Sequence, residues 1–256
     1  MRWRFMLSPP SDGALNMAVD EALMERAART GEAVFRVYAW ASPTLSLGRN
    51  QRAKGAYDLD AARTLGIDII RRPTGGRALL HHREVTYCVT LPTESPDEAA
   101  TSYSFINEVL LTALRRLGVR AERAGAAGVA LPPGLRPCFD VPSQDEIVVG
   151  GRKLVGSAQW RRGGALLQHG SILVRDDQGL VAALLKDAAE ADTPRAASLG
   201  DALGRDPDLG EVAVLLRESL VAETGATPTD LDGAEVAQDA ARLRATYVDD
   251  AWTWRR

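Results

Sequence analysis

The amino-acid sequence predicts a mixed α/β fold: a largely antiparallel sheet with flanking helices, followed by a helical C-terminal segment. Three features predict it. Residues 84–91, EVTYCVTL, alternate as a strand does. Residues 145–174 read as a three-stranded meander, with Gly150-Gly151 and Gly163-Gly164 as its turns. Residues 102–117 carry Ile106, Val109, Leu110, Ala113, Leu114 and Leu117 on one helical stripe, ended by Gly118. Strands joined by hairpins argue against a fully parallel, doubly wound sheet.

The other elements follow in chain order. Ser11 or Asp12 caps a helix running to about Arg29, with Leu15, Val19, Ala22 and Leu23 on its apolar face. VFRVYAW (34–40) and TLSLG (44–48) are strands separated at Ser42-Pro43, and a short helix at 59–65 ends at Gly66. IDIIRR (67–72) is a strand that stops at Pro73 and runs into TGGR. Residues 123–137 are rich in Gly, Ala and Pro without periodicity and read as a long, functional loop. Helical segments follow near 178–186, 210–223 and 233–247, the last with Asp232 and Glu235 as a capping box; 187–209 reads as an irregular linker. The expected organisation is a catalytic domain over 1–176 and a helical extension over 177–256 packed on it.

The composition excludes several classes. A net charge of −3 without a basic block argues against a nucleic-acid binder. No apolar run approaches the length of a membrane span, and the first residues have no apolar leader core. Two cysteines make no disulfide framework, so a cytoplasmic setting is expected. No pair of the three histidines has metal-ligand spacing, and no metal is expected. Only three of the 31 basic residues are lysine (Lys54, Lys153 and Lys186), which singles out lysine as the base that can shed a proton.

Four stretches carry possible chemistry. RRPTGGRALLHH (71–82) places Gly75 and Gly76 beside Arg71, Arg72 and Arg77; the residues alone fit either a ligand loop or a Gly-Gly turn with solvated arginines. His82 reads equally as a surface residue, whereas His169 in QHGS, before Gly170, suits a site. Cys88, inside the strand TYCVT, reads as core; Cys138 ends the long loop and is either a buried thiol or a nucleophile assisted by Lys153. The small residues of KLVGSAQ, Gly156, Ser157 and Ala158, make room for a ligand or mark a bulge.

The motifs RRPTGGRALLHHREVTY, CFDVPSQDEIVVGGRKLVGSAQ and LQHGSIL occur in the order and spacing of the lipoate–protein ligase, octanoyltransferase and biotin–protein ligase superfamily, which the chain resembles over most of residues 1–175. Within it, CFDVPS is most similar to the bacillus-type octanoyltransferases. That resemblance implies the superfamily fold and transfer of octanoyl from acyl carrier protein to a lipoyl-domain lysine, of a 2-oxoacid dehydrogenase or the glycine-cleavage H protein. It implies Cys138 as the acyl-thioester nucleophile and Lys153 as the residue that lowers its pKa. Arg71, Arg72, Gly75, Gly76, Arg77, His82, Gly156, Ser157, Ala158, Gln159, His169 and Gly170 would then line the substrate site. Leu79, Leu80, Val155 and Leu167 are expected in the channel wall, and Arg71, Arg72, Arg77, Arg161 and Arg162 in a patch for acidic partners. The acyl donor carries phosphopantetheine, and no bound cofactor, ATP, nucleic acid or membrane is required. The alternatives are an ATP-dependent lipoate–protein ligase and an amidotransferase acting between lipoyl-carrying proteins. Ligases of the superfamily keep an Asp after the motif histidine, where this chain has Arg83 and Glu84.

Overall fold

A computed structural model describes residues 1–93, 98–125, 139, 145–186 and 195–256, with backbone alone for Glu98 and Ala99. The chain opens with β1 (Arg2–Leu7), α1 (Gly13–Thr30), β2 (Glu32–Tyr38), β3 (Thr44–Leu47), α2 (Leu59–Thr64), β4 (Asp68–Arg71), β5 (Leu79–His81) and β6 (Glu84–Pro92). It continues through α3 (Glu98–Arg116), β7 (Glu122–Arg123), β8 (Ile147–Val149), β9 (Arg152–Arg162), β10 (Ala165–Leu173), α4 (Gly179–Ala183) and α5 (Leu199–Leu203). It ends with α6 (Leu209–Thr224), β11 (Thr229–Asp230), a 3₁₀ turn (Gly233–Glu235), α7 (Ala237–Tyr247) and α8 (Asp250–Thr253).

The main sheet runs β11-β1-β2-β6-β10-β9-β8-β7, and a small sheet runs β4-β3-β5. β11, β1 and β2 are parallel, and the rest of the main sheet is antiparallel. Helices cover both faces. On one, Ile106, Leu110 and Leu114 of α3 and Leu216 and Leu220 of α6 pack on Phe5, Phe35 and Val89. On the other, Met17 and Leu23 of α1 and Leu243 and Tyr247 of α7 pack on Val34, Cys88 and Leu167. A further cluster seats the small sheet against α2 and α4 through Leu45, Leu80, Ala62 and Val181.

The mixed α/β fold with flanking helices is the one the sequence predicts. Asp12 caps α1, accepting from Leu15 N at 2.8 Å. The meander forms as β8-β9-β10, and all four glycines of its two turns have positive φ, the requirement of tight I′-type hairpins. Six elements escape the sequence reading: β1, β5, β7, β11, α5 and α8. RWRFML forms β1, parallel to β2, with Trp3 and Phe5 toward α3. Strands β5 and β11 are too short to carry a period, and α5 lies inside the expected linker. Asp232 caps the 3₁₀ turn, accepting from Ala234 N, rather than opening a long final helix; α7 starts at Ala237.

No helix among the described residues is long and apolar enough to cross a membrane.

Candidate active site

A cleft, partly open to solvent, lies where β9 and β10 face the loop between β4 and β5. Its wall includes Arg72, Gly76 and Leu79 from that loop region, Gly156, Ser157 and Ala158 from β9, and His169, Gly170 and Ser171 from β10. Met17, Tyr38, His81 and Thr86 complete it. Three sequence motifs far apart in the chain thus meet in one concavity, the usual form of a small-molecule site.

Glycine shapes the walls by close approach. A Cβ on Gly170 would sit 2.5 Å from the carbonyl oxygen of Gly156 and 2.7 Å from Cε1 of Tyr87. A Cβ on Gly156 would meet the Phe139 ring at 3.1 Å and Cε of Lys153 at 3.3 Å, and one on Gly48 would coincide with the carbonyl oxygen of Gly76. GSA is therefore a packed strand rather than a bulge. Strand β8 ends opposite Val155, so from Gly156 onward this edge of β9 has no described strand partner.

Two arginines of the motif are scaffold. Arg71 is fully buried; its guanidinium donates to the carbonyls of Thr253 at 2.8 Å, Gln51 at 2.9 Å and Gly48. Burial lowers its pKa, to about 10, helped by the charges of Arg255, Arg256 and Arg72. Arg72 donates to the carbonyls of Gly75 (2.7 Å), Arg77 (2.8 Å) and Ser46 (2.9 Å), and so folds the Gly-Gly loop around its own charge. Neither belongs to a surface patch for acidic partners, which corrects that expectation: sequence displays the charge but not the carbonyls that enclose it.

The histidines divide differently from the expectation. His82 is exposed, with Nδ1 3.1 Å from Asp177, and lies outside the cleft. His81 is the cleft residue: Nδ1 faces Glu84 Oε1 at 2.8 Å, Nε2 faces Ser46 Oγ at 2.8 Å, and Trp40 stacks on its ring at 3.9 Å. His81 is the last residue of β5, fixed by its pairing with Thr44, whereas His82 lies in the bend that follows the strand. His169 is buried with Nδ1 3.0 Å from Asp20 and Nε2 2.6 Å from Thr74 Oγ1. A carboxylate only accepts, so Nδ1 carries the proton and Thr74 donates to Nε2. Asp20 also accepts from Arg36 (2.7 Å) and from the Tyr38 hydroxyl (2.8 Å).

Burial lowers the His169 pKa, against the hydrogen bond to Asp20, which raises it. Burial alone would raise the Asp20 pKa, but the bond from His169 and the charge of Arg36 hold it below the ordinary carboxylate value. The sign follows. Below about pH 6.5 an unfolded chain protonates this histidine more readily than the native state does, so stability falls as pH falls through that value. Asp20 adds stability present above about pH 4 that is lost only at more acid pH. Urea unfolding at pH 7.5 and pH 5.5 is expected to show the wild type losing about 1 kcal/mol more than His169→Gln over that interval; equal losses would disprove the assignment.

Lys153 is buried, with Nζ 2.7 Å from Glu146 Oε1 and 5.0 Å from the centre of the Phe139 ring. Phe139 packs with Leu79, Leu173 and Ala196, joining the Lys153 side of β9 to the cleft. Cys138, bonded in sequence to Phe139, lies outside the described residues. Cys88 is a fully buried core thiol, its pKa raised well above normal by burial. Ser157 Oγ shares a 2.7 Å hydrogen bond with the Tyr87 hydroxyl, which accepts from Gln168 at 3.0 Å. Gln159 donates to Gln168 at 2.8 Å, behind the wall.

Of the predicted substrate residues, Arg72, Gly76, Gly156, Ser157, Ala158, His169 and Gly170 meet at the cleft. Gly75 serves through its carbonyl on Arg72, and Arg71, Arg77, His82 and Gln159 are not in its wall. Leu79 lines it, but Leu80, Val155 and Leu167 belong to the hydrophobic cores. Sequence reading missed Met17, Tyr38, His81, Thr86 and Ser171, and Asp20 behind them. Asn16 and Asp20 on the buried side of α1, and Arg36 within VFRVY, were the available signals: polar groups on buried faces need partners.

Comparison with known proteins gives the same grouping. Residues 12–221 match the family model of the lipoyl protein ligase A/B catalytic domain. Curated relatives named octanoyltransferase LipM include those of Kyrpidia tusciae, 40% identical with 99% of both chains covered, and of Bacillus subtilis, 34% identical with 99% of this chain and 98% of the relative covered. Among solved structures, a T. acidophilum protein with bound lipoic acid superposes with a TM-score of 0.82 at 25% identity, covering 99% of this chain and 100% of that one. Lipoate-protein ligase A bound with ATP has the same fold, with a TM-score of 0.82 at 24% identity and 99% of both chains covered. On the family-model match, the near full-length relatives and the shared fold, the chain belongs to the lipoyl protein ligase A/B catalytic domain family.

Proposed function

We propose that the protein is an octanoyltransferase that moves an octanoyl group from acyl carrier protein to the lipoyl-domain lysine of lipoate-dependent proteins, through a thioester on Cys138. The observation that carries the reading is the packing of Lys153 and Phe139 against Gly156 at the cleft: a buried ammonium lies beside the residue that follows Cys138 in sequence. The LipM relatives, with nearly full-length coverage, support the same acyl group.

The steps balance without ATP. The Cys138 thiolate attacks the octanoyl carbonyl carbon, a new C–S bond forms, and the C–S bond to phosphopantetheine breaks. The departing thiolate takes a proton, supplied by Lys153. The neutral acceptor amine then attacks the acyl-cysteine, the C–N bond forms, and the cysteine thiolate leaves as the amine gives its proton to the now neutral Lys153, which restores the starting state. Thioester to amide runs downhill. Backbone N–H groups on the edge of β9 that has no described strand partner from Gly156 onward are the candidate donors to the oxyanion, where charge develops. The cleft would hold the acyl chain, with Leu79 and Met17 among its apolar walls.

The test is a transfer assay with octanoyl-carrier protein and an unmodified lipoyl domain, without nucleotide. Octanoylated lipoyl domain is expected. Modification only when free octanoate or lipoate and ATP are supplied would favour the ligase reading instead.

A further inference from the structure

A row of alternating guanidinium and indole groups begins at the rim of the cleft. Trp160 lies two residues beyond the cleft residue Ala158 on the same face of β9, with Arg162 5.8 Å from its ring centre. The Arg49 guanidinium lies 4.9 Å from the Trp160 ring and 5.7 Å from the Trp252 ring, and Arg255 lies 3.9 Å from Trp252. The row is tied to the cleft: Arg49 N donates to the carbonyl of Thr74 at 2.7 Å, and Thr74 holds His169. Ala53 N and Lys54 N donate to the Arg256 backbone oxygen at 3.0 and 2.8 Å, which brings Arg52 and Lys54 alongside.

This surface is charged against the trend of a chain whose net charge is −3. Arg52, Lys54, Arg255 and Arg256 are exposed and Arg49 is half-buried. Among the described residues none of the five pairs with a carboxylate within 4 Å, although exposed arginines elsewhere, such as Arg63, Arg205 and Arg242, do. The crowding is strong enough that Arg49 and Arg256 lower the pKa of Arg255 beyond the effect of its burial. Stacking on indole holds the guanidiniums in place; Arg255 Nη2 also donates to the Arg49 carbonyl and Arg49 Nη1 to that of Pro73 at 3.4 Å, which leaves the other N–H groups of each to an anion.

We propose that this arginine–tryptophan row is the docking surface for the acyl donor, an acidic carrier protein whose prosthetic arm bears a phosphodiester. The inference rests on the octanoyltransferase reading for the identity of the arm's cargo. The phosphodiester, which only the donor carries, favours the donor over the acceptor. The donor brings acidic side chains and a phosphate to the rim, while the acceptor presents a lysine that this field repels. Cations at a rim act on encounter and on KM, and their effect is screened by salt.

The experiment uses the triple variant Arg52→Glu/Lys54→Glu/Arg255→Glu, all outside the cleft. Titration with holo-carrier protein, which bears phosphopantetheine but no acyl group, should show at least a tenfold weaker Kd at low salt, with the gap closing as salt rises. KM for octanoyl-carrier protein should rise likewise. Transfer from octanoyl-pantetheine, which has neither phosphate nor protein, should stay within twofold of wild type. An intermediate loss with octanoyl-phosphopantetheine would assign part of the effect to the phosphate. Unchanged carrier binding, or a rise in KM for the lipoyl domain instead, overturns the proposal. Weakened carrier binding in the variant, with no octanoyl transfer by the wild type, would uphold the surface and reject the octanoyltransferase reading.

Discussion

Replacing Cys138 with alanine should reduce octanoyl transfer by roughly a thousandfold or more, the scale of losing a nucleophile whose partners act as a unit with it. On the proposed route the acyl chain changes carriers twice, from phosphopantetheine sulfur to enzyme sulfur and from there to nitrogen. Without a sulfur on the enzyme the two substrates would have to react directly. Cys138→Ser separates nucleophile from shape: a serine hydroxyl is far less ionised than a thiol, and its oxygen ester yields the acyl group to an amine more slowly. Serine should therefore fail nearly as badly as alanine. Thermal unfolding of both variants checks that the loss is chemical. The other cysteine makes an internal control, since Cys88 is fully buried in the core against α1 and cannot substitute. A Cys138→Ser enzyme with the wild-type rate would remove the covalent intermediate from the account.

Lys153→Met is expected to have the second largest effect, and on two readouts. The methionine keeps the apolar stem but takes a cation from Glu146 Oε1, 2.7 Å away in a buried setting. Breaking such a pair costs about 3–5 kcal/mol, because a carboxylate is left where water does not reach it. Adding Glu146→Gln should restore most of that stability. It should not restore activity. A free thiol with pKa near ~8.5 is only a few per cent thiolate at neutral pH, so losing the ammonium can cost up to about 30-fold through ionisation alone. Loss of the proton source for the departing thiol brings the total to about 10²–10³. The ionisation part should return as the assay pH is raised toward 9, whereas the proton-transfer part should not. A double variant that recovers stability and full turnover together would make Lys153 structural only.

The distribution of what sequence reveals has a physical basis. The helices α1 and α3 and the β8-β9-β10 meander were legible because they carry periodicity over many residues and glycine at turns that need positive φ. The Gly-Gly loop and GSA were legible as places of close backbone approach, which the packing of Gly48 on Gly76 and of Gly170 on Gly156 bears out. What failed was anything set by register or by long-range partners. Choosing between His81 and His82 requires knowing that β5 ends at His81, and no local pattern encodes the pairing of this three-residue strand with β3. Arg71 reads as solvated charge until its carbonyl acceptors, from Gly48 to Thr253, are brought together by the fold. Asp20 was passed over because its helix was read only for apolar residues. Yet Asp20 anchors His169, and through it Thr74 and the loop at the cleft.

The most direct test of the covalent account is the mass of the enzyme itself. Wild-type protein incubated with octanoyl-carrier protein, and with no acceptor, should gain a single adduct of about 126 Da, one octanoyl group in place of the thiol proton. Peptide mapping should locate it on Cys138, and addition of an unmodified lipoyl domain should discharge it. An enzyme that transfers octanoyl at full rate yet never carries that mass on Cys138 would contradict the account.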